Sequence, residues 1–126
     1  MSDFRPATEQ DIFSHIFGSG FDTYSWWVNV DLIEGKREDY FAPLDGWVAR
    51  VTVEDPEDED NVIHKDVSAK DIKAACRKII RDKTFRESLR NECSHLLFDE
   101  WEADFDAVDA DVIMQYIMFD GEIVYG

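Results

Sequence analysis

The chain has 126 residues and a mass of 14.7 kDa, enough for one domain with its own core and too little for two. With 44% hydrophobic, 13% aromatic and 33% charged residues it carries enough apolar material to offset chain entropy, which excludes a disordered polymer. Against 29 Asp and Glu stand 13 Lys and Arg, a formal charge of -16, which argues against general affinity for nucleic acid or anionic membranes and leaves neutral or positive partners.

The opening MSDFRPATEQ carries neither a basic leader nor an apolar run of signal-peptide length. No window approaches the roughly 18 apolar residues that span a bilayer, so the expectation is a soluble, cytoplasmic protein with no membrane partner. Thr8 with Asp11 three residues on has the capping-box pattern. Ile12, Phe13, Ile16 and Phe17 follow at helical spacing, so the first element is a helix ended by Gly18 and Gly20. From Tyr24 to Ile33 the period changes to two, with Trp26, Val28, Val30 and Leu32 on one face and Trp27, Asn29, Asp31 and Ile33 on the other. That alternation sends Trp26 and Trp27 to opposite faces: one anchors the core, and the other is covered by a second layer or a homodimer partner, or stays exposed as a contact.

Gly35 to Asp45 is polar, contains Pro43 and reads as a loop. Trp47, Ala49, Val51 and Val53 then alternate with Val48, Arg50, Thr52 and Glu54 as a second strand. The acidic run Glu54 to Asp60 turns the chain into a third strand over Val62 to Val67, giving an antiparallel meander. Ser68 with Asp71 caps a helix whose apolar sector is Ile72, Ala75, Cys76, Ile79 and Ile80, with Lys70, Lys73, Arg77, Lys78 and Arg81 opposite. Thr84 with Glu87 starts its hairpin partner, with Phe85, Leu89, Cys93, Leu96 and Leu97 on one side. The two cysteines read as buried free thiols, and a bridge requires the two helices to present them close together. Asp109 precedes a last helix through Phe119 with a stripe of Val112, Ile113, Tyr116 and Ile117, and Asp120-Gly121 then leads to a short final strand, Ile123 to Tyr125. The order predicts a single α+β domain over residues 1–126, a small three- to four-stranded, mainly antiparallel sheet packed against about four helices.

Charge is unevenly distributed along the chain. Residues 1–50 hold 4 basic and 9 acidic groups, residues 51–67 hold 1 and 7, residues 68–92 hold 8 and 4, and residues 93–126 hold 0 and 9. One basic helical hairpin therefore sits in an otherwise negative chain. Asp99, Glu100, Trp101, Glu102, Asp104, Phe105, Asp106, Asp109 and Asp111 are the candidate partner-binding residues, because clustered carboxylates around aromatics suit an Arg- or Lys-rich protein surface. In its extreme form the carboxylates replace phosphates in the nucleic-acid site of the partner, as a DNA mimic does, without the protein touching nucleic acid itself. Two other readings compete. Acidity serves only solubility while aromatic residues make the contacts of a structural or accessory protein, or Lys73, Arg77 and Arg81, at i, i+4 and i+8, take an anion of their own.

No P-loop, dinucleotide-binding glycine pattern, nucleophile elbow or zincin helix occurs. His15, His64 and His95 are scattered, and Cys93 and His95 point about 200° apart on a helix, against a shared metal. The acidic stretches 54–60 and 104–111 lack the EF-hand order. The expectation is a non-catalytic protein with no metal and no cofactor.

The TYSWWVNV strand with its Trp26-Trp27 pair, the VTVEDPEDED turn around Glu54-Asp55-Pro56 leading to NVIHKDVSAKDI, and the ending DADVIMQYIMFDGEIVYG resemble small acidic proteins encoded by bacteriophages and plasmids of actinobacteria. The resemblance implies a setting in the cytoplasm of a bacterial host and a host protein as partner. It brings no catalytic residues.

Overall fold

Three of the four described α-helices start at a short polar side chain that accepts one of the first free backbone N–H groups. A computed structural model describes residues 5–36 and 43–126, so residues 37–42 of the expected Gly35–Asp45 loop lie outside the described residues. At α1, Glu9–Phe17, Thr8 accepts the Asp11 N–H and Asp11 accepts the Thr8 N–H. Ser68 and Asp71 repeat the exchange at α2, Ala69–Arg81. The expected box at Thr84 does not form. Its hydroxyl and N–H both donate to Asp82 Oδ1, at 2.6 and 3.0 Å, a local alternative that delays α3 to Glu87–Phe98 with Arg86 as an N-cap lacking a side-chain bond. The last helix, α4, Ala107–Met118, begins earlier than Asp109 because the Asp106 carboxylate already accepts the Asp109 N–H.

Strands β1 (Trp27–Glu34), β2 (Val48–Asp55) and β3 (Asp58–Ser68) form one antiparallel sheet in the order β1-β2-β3, and with the four helices this is an α+β fold. Ala49, Val51, Val53 and Val67 are fully buried beneath the helices. Asp55 stands opposite Asp58, so the turn is only Pro56-Glu57 and β3 starts well before the expected Val62. Pro56 supplies a fixed φ at the turn, and the charged side chains simply point to solvent from paired backbone.

β1 breaks its expected alternation. Trp27 pairs with Val53 while Asn29 pairs with Thr52, so one residue, Val28, is bulged out and 53% exposed. Beyond the bulge Val30 and Leu32 pair with the core-facing Val51 and Ala49, which puts them on the same side as buried Trp27. Trp26 lies in the turn before β1, outside the alternation, and its indole and that of Trp27 reach the same carboxylate, so the opposite-face assignment of Trp26 and Trp27 is corrected.

The expected final strand is also absent. Ile123–Tyr125 runs as irregular backbone whose polar groups are taken by one side chain: Gln115 Oε1 accepts the N–H groups of Val124 and Tyr125 at 2.9 and 2.8 Å, and its amide donates to the Tyr125 carbonyl at 3.0 Å. An amide side chain here supplies the donors and acceptors that a neighbouring strand would. The Tyr125 hydroxyl adds a bond to the Glu54 carbonyl at 2.9 Å. Gln115 can face inward because α4 buries Asp109, Ala110, Asp111, Met114, Gln115 and Met118 with Ile113, the one member of the expected stripe that is buried, leaving Val112, Tyr116 and Ile117 half-buried.

Trp47 closes the core beneath α1. Its ring meets Phe13 and Phe17 edge-on at 5.2 and 5.7 Å and its indole N–H donates to the Glu9 carbonyl. Gly35 passes so close that a Cβ there would lie 2.8 Å from the Trp47 Cα, at a φ of +79°. Only glycine fits. Cys76 and Cys93 are free, fully buried thiols side by side between α2 and α3. The hydrogen bond between them, together with burial, pushes the Cys93 thiol far above its ordinary value.

Candidate functional site

The nine residues singled out in the acidic segment divide into an inward and an outward group. Asp111 is only 5% exposed. Its Oδ1 accepts both indole N–H groups, from Trp26 at 2.8 Å and Trp27 at 2.7 Å, while its Oδ2 accepts the Gln115 amide at 2.9 Å. Trp26 lies in the turn before β1, where the Trp27 N–H donates to the Tyr24 carbonyl, so strand alternation does not separate the two indoles and both reach one acceptor. Trp26 is further held between Tyr24 and Tyr125 in near-parallel stacks with centroids 5.0 and 5.4 Å away. Both tryptophans of the pair therefore serve the interior, and neither is a free contact.

Asp109 is likewise buried, with its carboxylate on the Arg86 guanidinium. Burial pushes the Asp109 carboxyl up, against the opposing pull of Arg86. Phe105 lies in the core, 6.0 Å centroid to centroid from His15. These three positions hold α4 onto the rest of the molecule.

The outward group lies on the link between α3 and α4. Trp101 is 71% exposed and Phe98 is 62% exposed, the largest values among the exposed large apolar side chains of the described residues. Phe98 escapes the sequence reading, yet a signal is present: Leu96, Leu97 and Phe98 are consecutive, and three consecutive helical residues span about 200°, wider than one buried stripe. The backbone beneath is fixed. Residues Glu100–Glu102 form a 3-10 turn, the Glu100 N–H donates to the Arg5 carbonyl at 3.0 Å, and the Asp104 N–H donates to the Glu92 carboxylate. Glu100 is shared between His15, at 3.0 Å, and Arg5, at 3.5 Å, and the Arg5 guanidinium stands 5.8 Å from the Trp101 ring centroid. Asp106 is engaged as the N-cap of α4. Among the described residues Asp99, Glu102 and Asp104 have no cationic side chain within 4 Å. The result is two exposed aromatic side chains three residues apart, with Asp99, Glu100 and Glu102 beside them in the chain, on backbone held by α3 and the segment before α1.

Elsewhere, a cleft of about 290 Å³ lies between α2, β3 and the end of α4. Lys65, Lys78, Asp66, Asp71 and Asp120 line it, so charges of both signs face each other there and neither histidine nor cysteine is present. Lys65 donates to the Ile117 carbonyl at 2.9 Å, satisfying the end of α4. Among the described residues no three His, Cys, Asp or Glu side chains gather as a metal would need, and no helix is long and apolar enough to cross a membrane.

Fold and surface together define a small α+β protein that displays an anchored acidic and aromatic patch. No family model matches the chain, and no curated protein or solved structure is significantly similar to it.

Proposed function

We propose that this is a non-catalytic binding protein whose Phe98–Trp101 patch docks on a Lys- and Arg-rich surface of another protein, in the phage or plasmid setting that the sequence resemblance implies a host protein. The observation that carries the reading is a strongly exposed Trp101 on held backbone inside residues 93–126, a segment with 9 acidic groups and no Lys or Arg. The aromatic rings supply contact area and a face for a partner's cation, and the carboxylates steer the encounter and set its orientation. Arg5 already occupies one position over the Trp101 ring, so a partner's guanidinium would exchange with a cation of similar geometry rather than bind bare indole. A partner that normally holds phosphates presents the right chemistry, which makes a nucleic-acid-binding site the natural target.

The test is affinity capture from bacterial lysate at about 50 mM and about 500 mM salt, with Phe98→Ala/Trp101→Ala and with Asp99→Lys/Glu102→Lys/Asp104→Lys as comparisons. Asp106 is left intact because it caps α4. The expected partner is lost at high salt and with either variant, and is released by duplex DNA. Loss with the aromatic variant alone would favour the reading in which acidity serves only solubility. A wild-type capture indistinguishable from both variants refutes the patch altogether.

A further inference from the structure

The Lys and Arg side chains of the described residues fall into two groups. Arg5, Lys36, Arg50, Lys65 and Arg86 each lie within 4 Å of a carboxylate, and Arg90 donates to the Ile80 carbonyl. All six cations of residues 70–83, namely Lys70, Lys73, Arg77, Lys78, Arg81 and Lys83, have no carboxylate that close among the described residues. This happens in a protein where acids outnumber bases 29 to 13. The cause is geometric. Ile72, Ala75, Cys76 and Ile79 are buried against the core, so the 3.6-residue period turns the lysines and arginines of α2 outward. Lys78 looks towards the cleft with Asp66, Asp71 and Asp120. Of the other five, Lys73, Arg77 and Arg81 stand at i, i+4 and i+8 as a row, successive members separated by about 6 Å of helix rise and the row about 12 Å long.

We propose that this outer face of α2 is a docking surface for a short acidic peptide segment of a partner protein. Charge complementarity selects the sign, and the shortness of the row selects the class. Screening confines the local field to about 8 Å at physiological salt. A segment of about four extended residues, at about 3.3 Å each, covers the row and ends there. A nucleic-acid duplex continues beyond it in both directions, onto a molecule with a net charge of -16.

The experiment is fluorescence anisotropy with labelled hexaglutamate, labelled hexaglutamine as the neutral control, and a labelled duplex of about 20 base pairs, in about 50 mM salt. Wild type is compared with Lys73→Gln/Arg77→Gln/Arg81→Gln, a variant that removes charge while keeping helix-forming side chains, its fold checked by circular dichroism. Hexaglutamate should bind about tenfold or more tighter than hexaglutamine, and lose that margin in the triple variant and at about 300 mM salt. Trp101→Ala should leave this binding unchanged, which separates the surface from the aromatic patch. Equal binding of the two peptides, an unaffected triple variant, or tighter binding of the duplex overturns the proposal. Self-association of wild type that the triple variant abolishes also overturns it, by giving the face to a second copy of the chain.

Discussion

Asp111→Ala removes a single acceptor on which three donors converge, from Trp26, Trp27 and Gln115. Each buried donor left without a partner costs about 1–3 kcal/mol, and relief from burying a polar side chain returns part of that, so the net loss should be about 4 kcal/mol. The entropy of unfolding a chain this long is about 0.26 kcal/mol/K, which converts the loss into a fall in Tm of about 15 °C. Asp111→Asn should be milder. Its remaining oxygen still accepts both indoles, but its amide then faces the donating Gln115 amide, and Gln115 cannot reverse because its oxygen already serves Val124 and Tyr125. One donor facing another should cost about 2 kcal/mol. Urea unfolding followed by tryptophan fluorescence and circular dichroism measures both. A loss below about 1 kcal/mol for Asp111→Ala would show that the carboxylate does not clamp the indoles, and the reasoning would fail.

Two glycines with the same φ of +79° should respond differently to alanine. Gly35→Ala meets the Trp47 backbone and should lose about 3 kcal/mol, whereas Gly46→Ala opens onto empty space and should lose about 1 kcal/mol. Thermal denaturation compares them, and equal losses would contradict the close approach. Asp82 is held below the ordinary carboxylate range by the Thr84 hydroxyl and then by the Thr84 backbone N–H. Its contribution to stability is therefore present above the ordinary Asp value and is lost as pH falls through the lowered folded value. Thr84→Val should move the Asp82 midpoint upward in an NMR titration, and an unmoved midpoint would deny the hydroxyl its role.

Much of the architecture is legible because local signals agree with the global fold. The two reciprocal caps at Thr8 and Ser68, the apolar sector of α2 and the core face of β2 with Ala49, Val51 and Val53 all survive folding. The failures occur where polar side chains substitute for backbone. A period-two reading of β1 foresees neither the bulge at Val28 nor the convergence of both indoles on Asp111, an acceptor on α4 more than eighty residues away. The tail looks like a strand because it is apolar, yet Gln115 takes its hydrogen bonds. Around the patch, counting acids locates the segment but cannot rank its members. Asp109 and Asp111 turn inward because Arg86 and the indoles donate to them there, whereas Trp101 meets only the Arg5 guanidinium on its face and stays 71% exposed.

Sharing one carboxylate between Trp26 and Trp27 also gives the protein a built-in optical division. Those two indoles, shielded and hydrogen-bonded at the same point, should emit towards the blue and lose that emission together on denaturation, while Trp101 in water should emit towards the red. Covering Trp101 would then shift only the red component, so occupancy of the patch and collapse of the interior can be followed as separate colours in one unlabelled sample.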